Sequence, residues 1–425
     1  MTEGPSGASA ASTDGSPRDV FATDSVSADL DQVSETQVAI VGAGPAGLML
    51  AHRLSRAGID SIAIDVRTRE TISTTQRAGI IESDAARDLV ELGVSDRILR
   101  DGYEHEGVDI RFAGASHRID FRQHVGASVW LYPQTDVFID LAAARDRDGG
   151  EVHYGVSDTR VLDIETSSPR VQFTDTDGAR HEIRARYVVG SDGSRSLCRH
   201  LVPEEHRQQF FREYPFAWFG FLTQAPMSAP ELVYTHSEHG FALISQRTET
   251  LQRMYFQCDP TENVEHWSDR RIWETMQQRV AGGDGFTLKE GPITEKSVLV
   301  FRSFVQQPMR WGSMVLAGDA AHTVPPTGAL GLNLALHDVK ILDGVLQRAL
   351  GSAGEAALDE YEPAALNRVW RAQNFSYWMT QMLHTPTGAS PFDVRRQEGE
   401  LDNVVSTRAG RTYLDEQYTG WPSHG

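Results

Sequence analysis

Cysteine is scarce in this sequence of 425 residues, which contains only Cys198 and Cys258. The two lie 60 positions apart and form no CxxC pair, so they build neither a disulfide framework nor a thiolate metal site, and no metal is expected. Such cysteine usage is typical of a reducing compartment. Basic residues are also few, since 40 Lys and Arg face 59 Asp and Glu and leave a net charge of −19. That charge repels phosphate backbones and anionic membrane surfaces, which argues against nucleic acid as a partner.

Long apolar runs are missing as well. The longest, residues 38–51, has 14 positions and contains three glycines and a proline, whereas a membrane-spanning helix needs about 20 apolar residues. We therefore predict no contact with a membrane. The first 36 residues carry seven acids and one arginine, whereas a secretory signal places positive charge before an apolar run. We predict that residues 1–36 form a disordered acidic tail and that the protein is cytoplasmic.

The rest of the chain has an ordinary globular composition, with 40% hydrophobic and 23% charged residues. Its length suits two or three packed units. Strand-like runs fill residues 214–304, with one helix at about residues 269–280. From residue 331 to about residue 383 the pattern indicates a largely helical segment.

A β-α-β unit is predicted over residues 38–65, where a buried strand, a glycine turn, a helix and a second strand follow one another. The turn GAGPAG places Gly42, Gly44 and Gly47 where a dinucleotide-binding turn needs a tight bend, close approach of backbone to a pyrophosphate, and helix–strand packing. Asp65 ends the second strand 18 residues after Gly47, where an acid accepts hydrogen bonds from a ribose. Taken alone, the glycine pattern also fits a purely structural turn.

Two further glycine–acid elements follow buried strands. They are VGSDGS, with Asp192 and Gly193, and LAGDAAH, with Asp319, and each alone fits an ordinary turn. After the second comes a Pro/Gly loop that runs into a helix, whose first N–H groups around Leu332 and Asn333 favour negative charge on a bound group. With the first motif, these elements resemble the FAD fingerprint of the class A flavoprotein monooxygenases, which implies FAD as the cofactor.

From residue 37 to about residue 422 the chain closely resembles the para-hydroxybenzoate hydroxylase family of flavoprotein aromatic hydroxylases. The matching stretches include QVAIVGAGPAGL, DGYEHEGVDIRFAG, YPFAWFGFL and FSYWMTQMLH, and the pair GFALISQR and HTVPPTG points to this family in particular. The resemblance implies an α/β fold, with a Rossmann-like FAD-binding domain, a β-rich substrate domain and C-terminal helices. The predicted divisions are 37–213 for the first part of the FAD-binding domain, 214–305 for the substrate domain, and 306–425 for the FAD-binding return segment and the C-terminal helical region.

Residue-by-residue transfer from the family implies a carboxylate anchor in the substrate site. Arg247 would hold the carboxylate of a benzoate with its planar guanidinium fork, which suits this task better than the point charge of a lysine. Ser245 and Tyr255 would add hydrogen bonds. These three residues would fix one end of the substrate ring.

The resemblance also implies an activating group at the other end of the ring. Tyr234 would contact the phenolic oxygen, with Tyr418 behind it and the carbonyl group of Pro326 close by. Removing the phenolic proton drives electron density onto the ring carbon that reacts, so these residues are predicted to be catalytic. His105 would be the outer end of the proton path, because histidine changes charge near neutral pH. By itself, within a Glu-His-Glu run, His105 is more typical of a solvated surface residue.

Further cofactor contacts come from the same transfer. Gln134 and Arg77 would contact FAD, and Arg77 and Arg302 would help to bind the nicotinamide cofactor, although an arginine at position 77 alone suggests a surface charge. Arg253 and Trp218 match positions near the flavin.

Two departures from the family pattern concern charge. NADPH-using members carry an arginine, a glutamine and a tyrosine after the ribose acid, whereas this chain has VRTRET. Arg67 and Arg69 could meet the 2′-phosphate of NADPH, but Asp65 opposes it, so NADH is expected to serve as well or better. Leu330 replaces a lysine of the best-known members, which lowers the positive potential over the site.

The predicted function is hydroxylation of 4-hydroxybenzoate to 3,4-dihydroxybenzoate with O2 and NADH or NADPH, through a flavin C4a-hydroperoxide. Family members are homodimers, and the same is expected here. One alternative is the same chemistry on another para-substituted benzoate, such as 4-aminobenzoate or 3,4-dihydroxybenzoate. A second alternative is a flavin-binding sensor of aromatic acids without turnover, which the Tyr234–Tyr418 pair argues against.

Overall fold

The computed structural model describes residues 30–75, 79–386 and 388–421. Its strands are β1 Gln32–Val41, β2 Ser61–Asp65, β3 Ile80–Glu82, β4 Tyr103–His105, β5 Gly107–Phe112, β6 Ala115–Asp120, β7 Val129–Leu131, β8 Val152–Tyr154, β9 Ser157–Leu162, β10 Arg170–Thr174, β11 Arg180–Gly190, β12 Gln208–Thr223, β13 Val233–Thr235, β14 Ala242–Gln246, β15 Gln252–Cys258, β16 Ile293–Gln307, β17 Arg310–Trp311, β18 Met314–Leu316 and β19 His322–Thr323. Its α-helices are α1 Pro45–Arg56, α2 Arg69–Thr74, α3 Ser83–Glu91, α4 Arg97–Asp101, α5 Phe121–Val125, α6 Gln134–Arg147, α7 Asp269–Val280, α8 Gly331–Leu350, α9 Tyr361–Leu383, α10 Pro391–Ser406 and α11 Arg408–Tyr418.

The first sheet is built on parallel strands in the order β18-β11-β1-β2-β8, with β17 antiparallel at one edge. In addition, β10 pairs with β11, and β9 pairs with β10. Val41 of β1 lies opposite Gly190 of β11 and Ile64 of β2, and Gly190 lies opposite Leu316 of β18. The carboxyl ends of four neighbouring strands therefore share one edge, which is where open α/β sheets bind ligands. All three glycine motifs and Asp65 begin or end at this edge.

The predicted disordered tail is wrong for residues 32–36. Their backbone pairs in parallel with β11, from Gln32 opposite His181 to Thr36 opposite Ala185. Ladder hydrogen bonds use backbone groups, so the polar side chains that made this stretch look disordered do not prevent pairing. Residues 1–29 lie outside the described residues.

The second sheet runs in the order β19-β16-β12-β15-β14-β13-β5-β6. Its inner strands come from the segment predicted to be β-rich, but β5 and β6 come from far earlier in the chain, and β13 pairs in parallel with β5. Helix α7 has the predicted bounds and is capped by the Ser268 hydroxyl, which accepts a hydrogen bond from the Arg271 N–H. The predicted helical segment is confirmed: α8 and α9 fill most of it, and α9 ends at Leu383.

Three apolar cores hold these layers together. One lies around the first sheet and α1, α6 and α8, the second between the second sheet and α9 to α11, and the third beneath α7. The second core contains Tyr234, Tyr255 and Tyr418, so the predicted substrate site is embedded between the β-rich sheet and the C-terminal helices. In the described parts of the chain, no helix has the length and apolar character to cross a membrane.

Candidate active site

The glycine turn after β1 is closed so tightly that two of its glycines admit no side chain. A Cβ on Gly42, whose φ is +107°, would lie 2.3 Å from the Ser191 carbonyl oxygen, and one on Gly47 would lie 1.9 Å from the Gly42 oxygen. A Cβ on Gly44 would meet only the Arg67 guanidinium, at 3.5 Å. The Gly44 side of the turn is thus open, at the N-terminus of α1, whose first N–H groups lack intrahelical acceptors. This is the cradle that a pyrophosphate requires.

Asp65 is buried at the end of β2, and its carboxylate already accepts four hydrogen bonds. Oδ2 accepts from the Ala43 N–H at 3.0 Å and from Nη2 of Arg67 at 2.9 Å. Oδ1 accepts from the Arg67 N–H at 2.9 Å and from its Nε at 3.0 Å. The Arg67 guanidinium therefore covers both oxygens of the acid that the sequence predicts to bind a ribose.

The second and third glycine motifs are tied to each other by Arg199. Its Nη2 donates to the carbonyl oxygens of Gly193, at 3.0 Å, and of Asp319, at 3.2 Å. The Asp192 carboxylate accepts from the Leu197 N–H at 2.7 Å and so caps the following turn. Arg199 thus links the two motifs beside the glycine turn.

The N-terminus of α8 is held in place by the Asn333 side chain. Its Oδ1 accepts from the Glu82 N–H at 3.0 Å, and its Nδ2 donates to the Ile80 carbonyl at 2.9 Å. These bonds fix the first turn, in which the N–H groups of Leu332 and Asn333 have no acceptor within the helix. The observed cradle, the buried acid and this helix end fit the pyrophosphate, ribose and pyrimidine ring of FAD, respectively.

Two buried tyrosines meet between the β-rich sheet and the C-terminal helix. Tyr234 in β13 and Tyr418, the last residue of α11, are each 1% exposed, and their hydroxyl oxygens are 2.9 Å apart. The Gly328 N–H also donates to the Tyr234 hydroxyl. Burial raises the pKa of Tyr234 to about 12 and holds that of Tyr418 well above its usual value. Both hydroxyls are therefore neutral, and each can donate and accept a proton.

The predicted carboxylate anchor lies across the neighbouring strands. Leu243 of β14 pairs with both Tyr234 and Tyr255, so the two tyrosines stand two strands, or about 10 Å, apart. Arg247 follows β14, is 7% exposed and donates a hydrogen bond to the Tyr255 hydroxyl. Burial lowers the pKa of Arg247, because the charged guanidinium is no longer solvated by water. Ser245, also buried, donates to the Gln246 carbonyl at 3.3 Å. The two polar groups are thus separated along the sheet by the width of one intervening strand.

His105 is buried at 1% exposure, not at the surface as its acidic neighbours suggest. The Gln246 side-chain amide lies 2.8 Å from its Nε2, which accepts the hydrogen bond as a neutral imidazole nitrogen. Burial lowers the pKa of His105 to about 4, which agrees with a neutral ring. Among the described residues, Nδ1 has no hydrogen-bond partner. The structure therefore joins His105 to the strand of the carboxylate anchor, through a glutamine that sequence reasoning missed.

The structure also places the other residues that the sequence analysis singled out. Pro326 is half-buried, and its carbonyl accepts from the Ala329 N–H at 2.9 Å. Trp218 donates to Nε2 of His384 at 2.7 Å and packs 5.1 Å from the Tyr255 ring. Other placements are as follows: Gln134 begins α6, Arg253 lies 3.5 Å from Glu295, Arg302 is exposed opposite Glu213, Leu330 is buried, and Arg77 lies outside the described residues.

Comparison with known proteins agrees with this geometry. A family model described as an FAD binding domain matches residues 35–376. The p-hydroxybenzoate hydroxylase of Acinetobacter baylyi is 40% identical over 392 residues, which cover 92% of this chain and 96% of that protein. The 3-(3-hydroxy-phenyl)propionate/3-hydroxycinnamic acid hydroxylase of Mycolicibacterium smegmatis is 28% identical, over 76% of this chain and 57% of that protein.

The crystal structure of p-nitrophenol 4-monooxygenase PnpA from Pseudomonas putida DLL-E4 shares the fold, with a TM-score of 0.77 at 19% identity, over 92% of this chain and 100% of that one. Fold and matches together define the class as FAD-dependent aromatic monooxygenases. The chain belongs to the FAD-binding domain family of these flavoproteins. The predicted fold class, FAD cofactor and enzyme class are thereby confirmed.

Proposed function

We propose that this enzyme hydroxylates 4-hydroxybenzoate at the carbon ortho to its hydroxyl group, giving 3,4-dihydroxybenzoate. The balanced reaction is 4-hydroxybenzoate + NAD(P)H + O2 + H⁺ → 3,4-dihydroxybenzoate + NAD(P)⁺ + H2O. One observation carries the proposal: a buried tyrosine pair lies two strands from Tyr255, whose hydroxyl accepts a hydrogen bond from the buried Arg247. The relative that is 40% identical is named for p-hydroxybenzoate, which supports the same substrate here.

The carboxylate of the substrate forms an ion pair with Arg247. The Arg247 guanidinium is buried and has lost water, and the hydroxyl groups of Tyr255 and Ser245 are hydrogen-bond donors beside it. The buried Arg253 guanidinium lies 5.4 Å above the Tyr255 ring and adds positive potential. Because a planar fork binds a carboxylate in one orientation, the ring is directed toward Tyr234.

The phenol end of the substrate is activated by proton transfer. Oη of Tyr234 takes the hydrogen bond of the substrate hydroxyl, and its own proton moves along the 2.9 Å contact to Oη of Tyr418. The raised pKa values mean that neither tyrosine holds a negative charge, so the pair passes protons on. The carbonyl group of Pro326 is proposed to lie close to the same oxygen. His105 is the proposed far end of the path; burial lowers its pKa to about 4, so it would pass protons as a neutral imidazole through Nδ1, since Nε2 is bonded to Gln246.

FAD is held by the groups at the sheet edge. Gly42, Gly44 and Gly47 form the pyrophosphate cradle and Asp65 binds the ribose. The other groups proposed to contact FAD are Arg77, Gln134, Asp192, Gly193, Asp319 and the N–H groups of Leu332 and Asn333. When bound, FAD supplies electron transfer from the nicotinamide to O2 and the delivery of one oxygen atom to the ring.

NADH is the proposed nicotinamide cofactor, and its kcat/KM is expected to equal or exceed that of NADPH. Both arginines that could meet a 2′-phosphate are engaged by carboxylates, Arg67 by Asp65 at 2.9 Å and Arg69 by Asp146 at 2.7 Å. A phosphate would have to displace these acids and tolerate their charge. Arg77 and Arg302 are the proposed contacts to the rest of the cofactor.

The proposed assembly is a cytoplasmic homodimer that pairs through an aromatic patch. Phe210 and Trp370 meet edge to face at 5.1 Å, although they are 37% and 42% exposed. Tyr377 is 37% exposed on the same helix as Trp370, and the Arg212 guanidinium covers it at 4.9 Å. Clustered exposed aromatic side chains are typical of interfaces. Trp370→Glu should convert the dimer to monomers in sedimentation velocity.

The function is tested by oxygen uptake with a panel of para-substituted benzoates, with NADH and NADPH, and with identification of the product. The expected result is coupled turnover of 4-hydroxybenzoate to 3,4-dihydroxybenzoate. Faster coupled turnover of 4-aminobenzoate or of 3,4-dihydroxybenzoate would reassign the substrate. Binding of aromatic acids without turnover of any of them would contradict an enzymatic role.

A further inference from the structure

Helix α5 contacts Tyr418's helix at two points. The Phe121 ring stacks on the Tyr418 ring, with centroids 5.2 Å apart and an interplanar angle of 26°. One turn further along α5, Nδ1 of His124 lies 2.6 Å from Oδ2 of Asp415, which precedes Tyr418 by one turn in α11. The two helices therefore meet through one aromatic and one polar contact, on the same face of each helix.

The polar contact is almost fully enclosed. The side chain of Asp415 has 0% exposure and that of His124 has 16%. Among the described residues, Oδ1 of Asp415 has no hydrogen-bond partner. Burial is the main cause that raises the pKa of Asp415 to about 6; the Asp120 carboxylate acts in the same direction, and the hydrogen bond with His124 and the Arg411 guanidinium act against it. A carboxyl group buried in this way destabilises a junction that apolar side chains of equal volume would make without penalty.

The position of Tyr418 in α11 gives the His124–Asp415 contact a way to affect the reaction. It is the last residue of α11, and the terminal turns of helices fray. The Asp415 carbonyl accepts the N–H and the hydroxyl of Thr419, at 2.9 and 2.7 Å, so Asp415 is the base of this last turn. The hydroxyl of Tyr418 has to stay within hydrogen-bond distance of Tyr234, and a shift of about 1 Å at a catalytic contact can lower a rate about a hundredfold.

We propose that His124 and Asp415 are positioning residues for the reaction, which fix Tyr418 at the distance from Tyr234 that activates the phenol. The proposal rests on the proposed function. The aromatic contact with Phe121 sets the plane of the Tyr418 ring, and the His124–Asp415 hydrogen bond sets the position of α11 along its own axis. Neither residue contacts the substrate, so the pair acts only through Tyr418.

The test replaces the contact in the FAD-loaded enzyme and separates binding from activation. Asp415→Leu keeps the buried volume and breaks the bond, and Asp415→Asn keeps a hydrogen bond to a neutral histidine. His124→Leu breaks the contact from the other, partly exposed side. The control is Asp175→Ala, which removes a histidine–carboxylate contact of 2.7 Å with His181 in the β10–β11 hairpin of the first sheet.

Three quantities are measured: the Kd of 4-hydroxybenzoate by flavin absorbance, the 3,4-dihydroxybenzoate formed per NADH consumed, and the phenolic pKa of bound 4-hydroxybenzoate by ultraviolet titration. In Asp415→Leu and His124→Leu, product per NADH should fall by about threefold or more and the phenolic pKa should rise, while Kd changes by less than about twofold. Asp415→Asn and Asp175→Ala should match the wild type.

Unchanged product per NADH in a folded Asp415→Leu or His124→Leu enzyme would overturn the proposal, and so would an equal loss in Asp175→Ala. Failure of both leucine variants to fold, beside a normal Asp415→Asn, would also overturn it in favour of a purely structural contact. Failure of the wild type to hydroxylate 4-hydroxybenzoate would instead contradict the proposed function.

Discussion

Replacing Arg247 with alanine tests the orientation of the substrate. The guanidinium is 7% exposed and already desolvated, which is why its pKa is lowered. Truncating one partner of a buried charge pair costs about 2–5 kcal/mol. Ser245 and Tyr255 stay in place and can still donate the hydrogen bonds proposed for the carboxylate, so we expect the lower half of that range. At about 1.4 kcal/mol per tenfold, the Kd of 4-hydroxybenzoate should rise by about 30- to 300-fold.

The assay is titration of the FAD-loaded protein with 4-hydroxybenzoate, followed by flavin absorbance. Arg247→Lys is the matched control, because it keeps the charge but loses the fork, and it should give an intermediate Kd. Titration with 4-hydroxybenzamide isolates the charge, since a neutral ligand should bind the wild type and Arg247→Ala with affinities within about threefold. An alanine variant with wild-type affinity for 4-hydroxybenzoate, or an equal loss for the amide, would refute this anchor.

Three further predictions follow from other parts of the site. Tyr234→Phe should retain FAD and 4-hydroxybenzoate but lower the product formed per NADH consumed by about tenfold or more, with H2O2 released instead; a ratio near that of the wild type would mean that another base activates the phenol. The kcat/KM for NADH should equal or exceed that for NADPH, because Arg67 is bonded to Asp65; a preference for NADPH of about a hundredfold, or about 2.7 kcal/mol, would contradict this. Gly47→Ala should be purified without FAD, since its Cβ would lie 1.9 Å from the Gly42 carbonyl oxygen, and a normal flavin spectrum of this variant would show that the turn can relax.

The sheet edge could be predicted because its signals are local. Each glycine motif follows a buried strand, and parallel strands bring their carboxyl ends to one edge, so the meeting of Gly42, Asp192 and Asp319 follows from the pattern. The hydrogen bonds of Arg67 to Asp65 could not be predicted, because the same spacing allows the side chain to point into solvent.

Contacts between distant segments of the chain could not be predicted from the sequence. His105 lies among acidic neighbours, but pairing of β4 with β7 and the bond to Gln246, 141 positions away, bury it. His124 and Asp415 are 291 positions apart, and neither stands in a recognisable motif. Strand β1 begins before its apolar run because β11 offers it backbone partners. In each case the burial comes from a partner that local composition does not indicate.

The central claim is that Arg247 and Tyr234 orient 4-hydroxybenzoate so that one atom of O2 reaches the ring carbon beside the phenolic oxygen. It is tested most directly by turnover of 4-hydroxybenzoate with NADH under ¹⁸O2, followed by mass spectrometry and NMR of the product. The expected result is 3,4-dihydroxybenzoate with one ¹⁸O atom, at the new hydroxyl group on C3. Oxygen derived from water, hydroxylation at another carbon, or NADH oxidation that yields only labelled H2O2 would contradict the account.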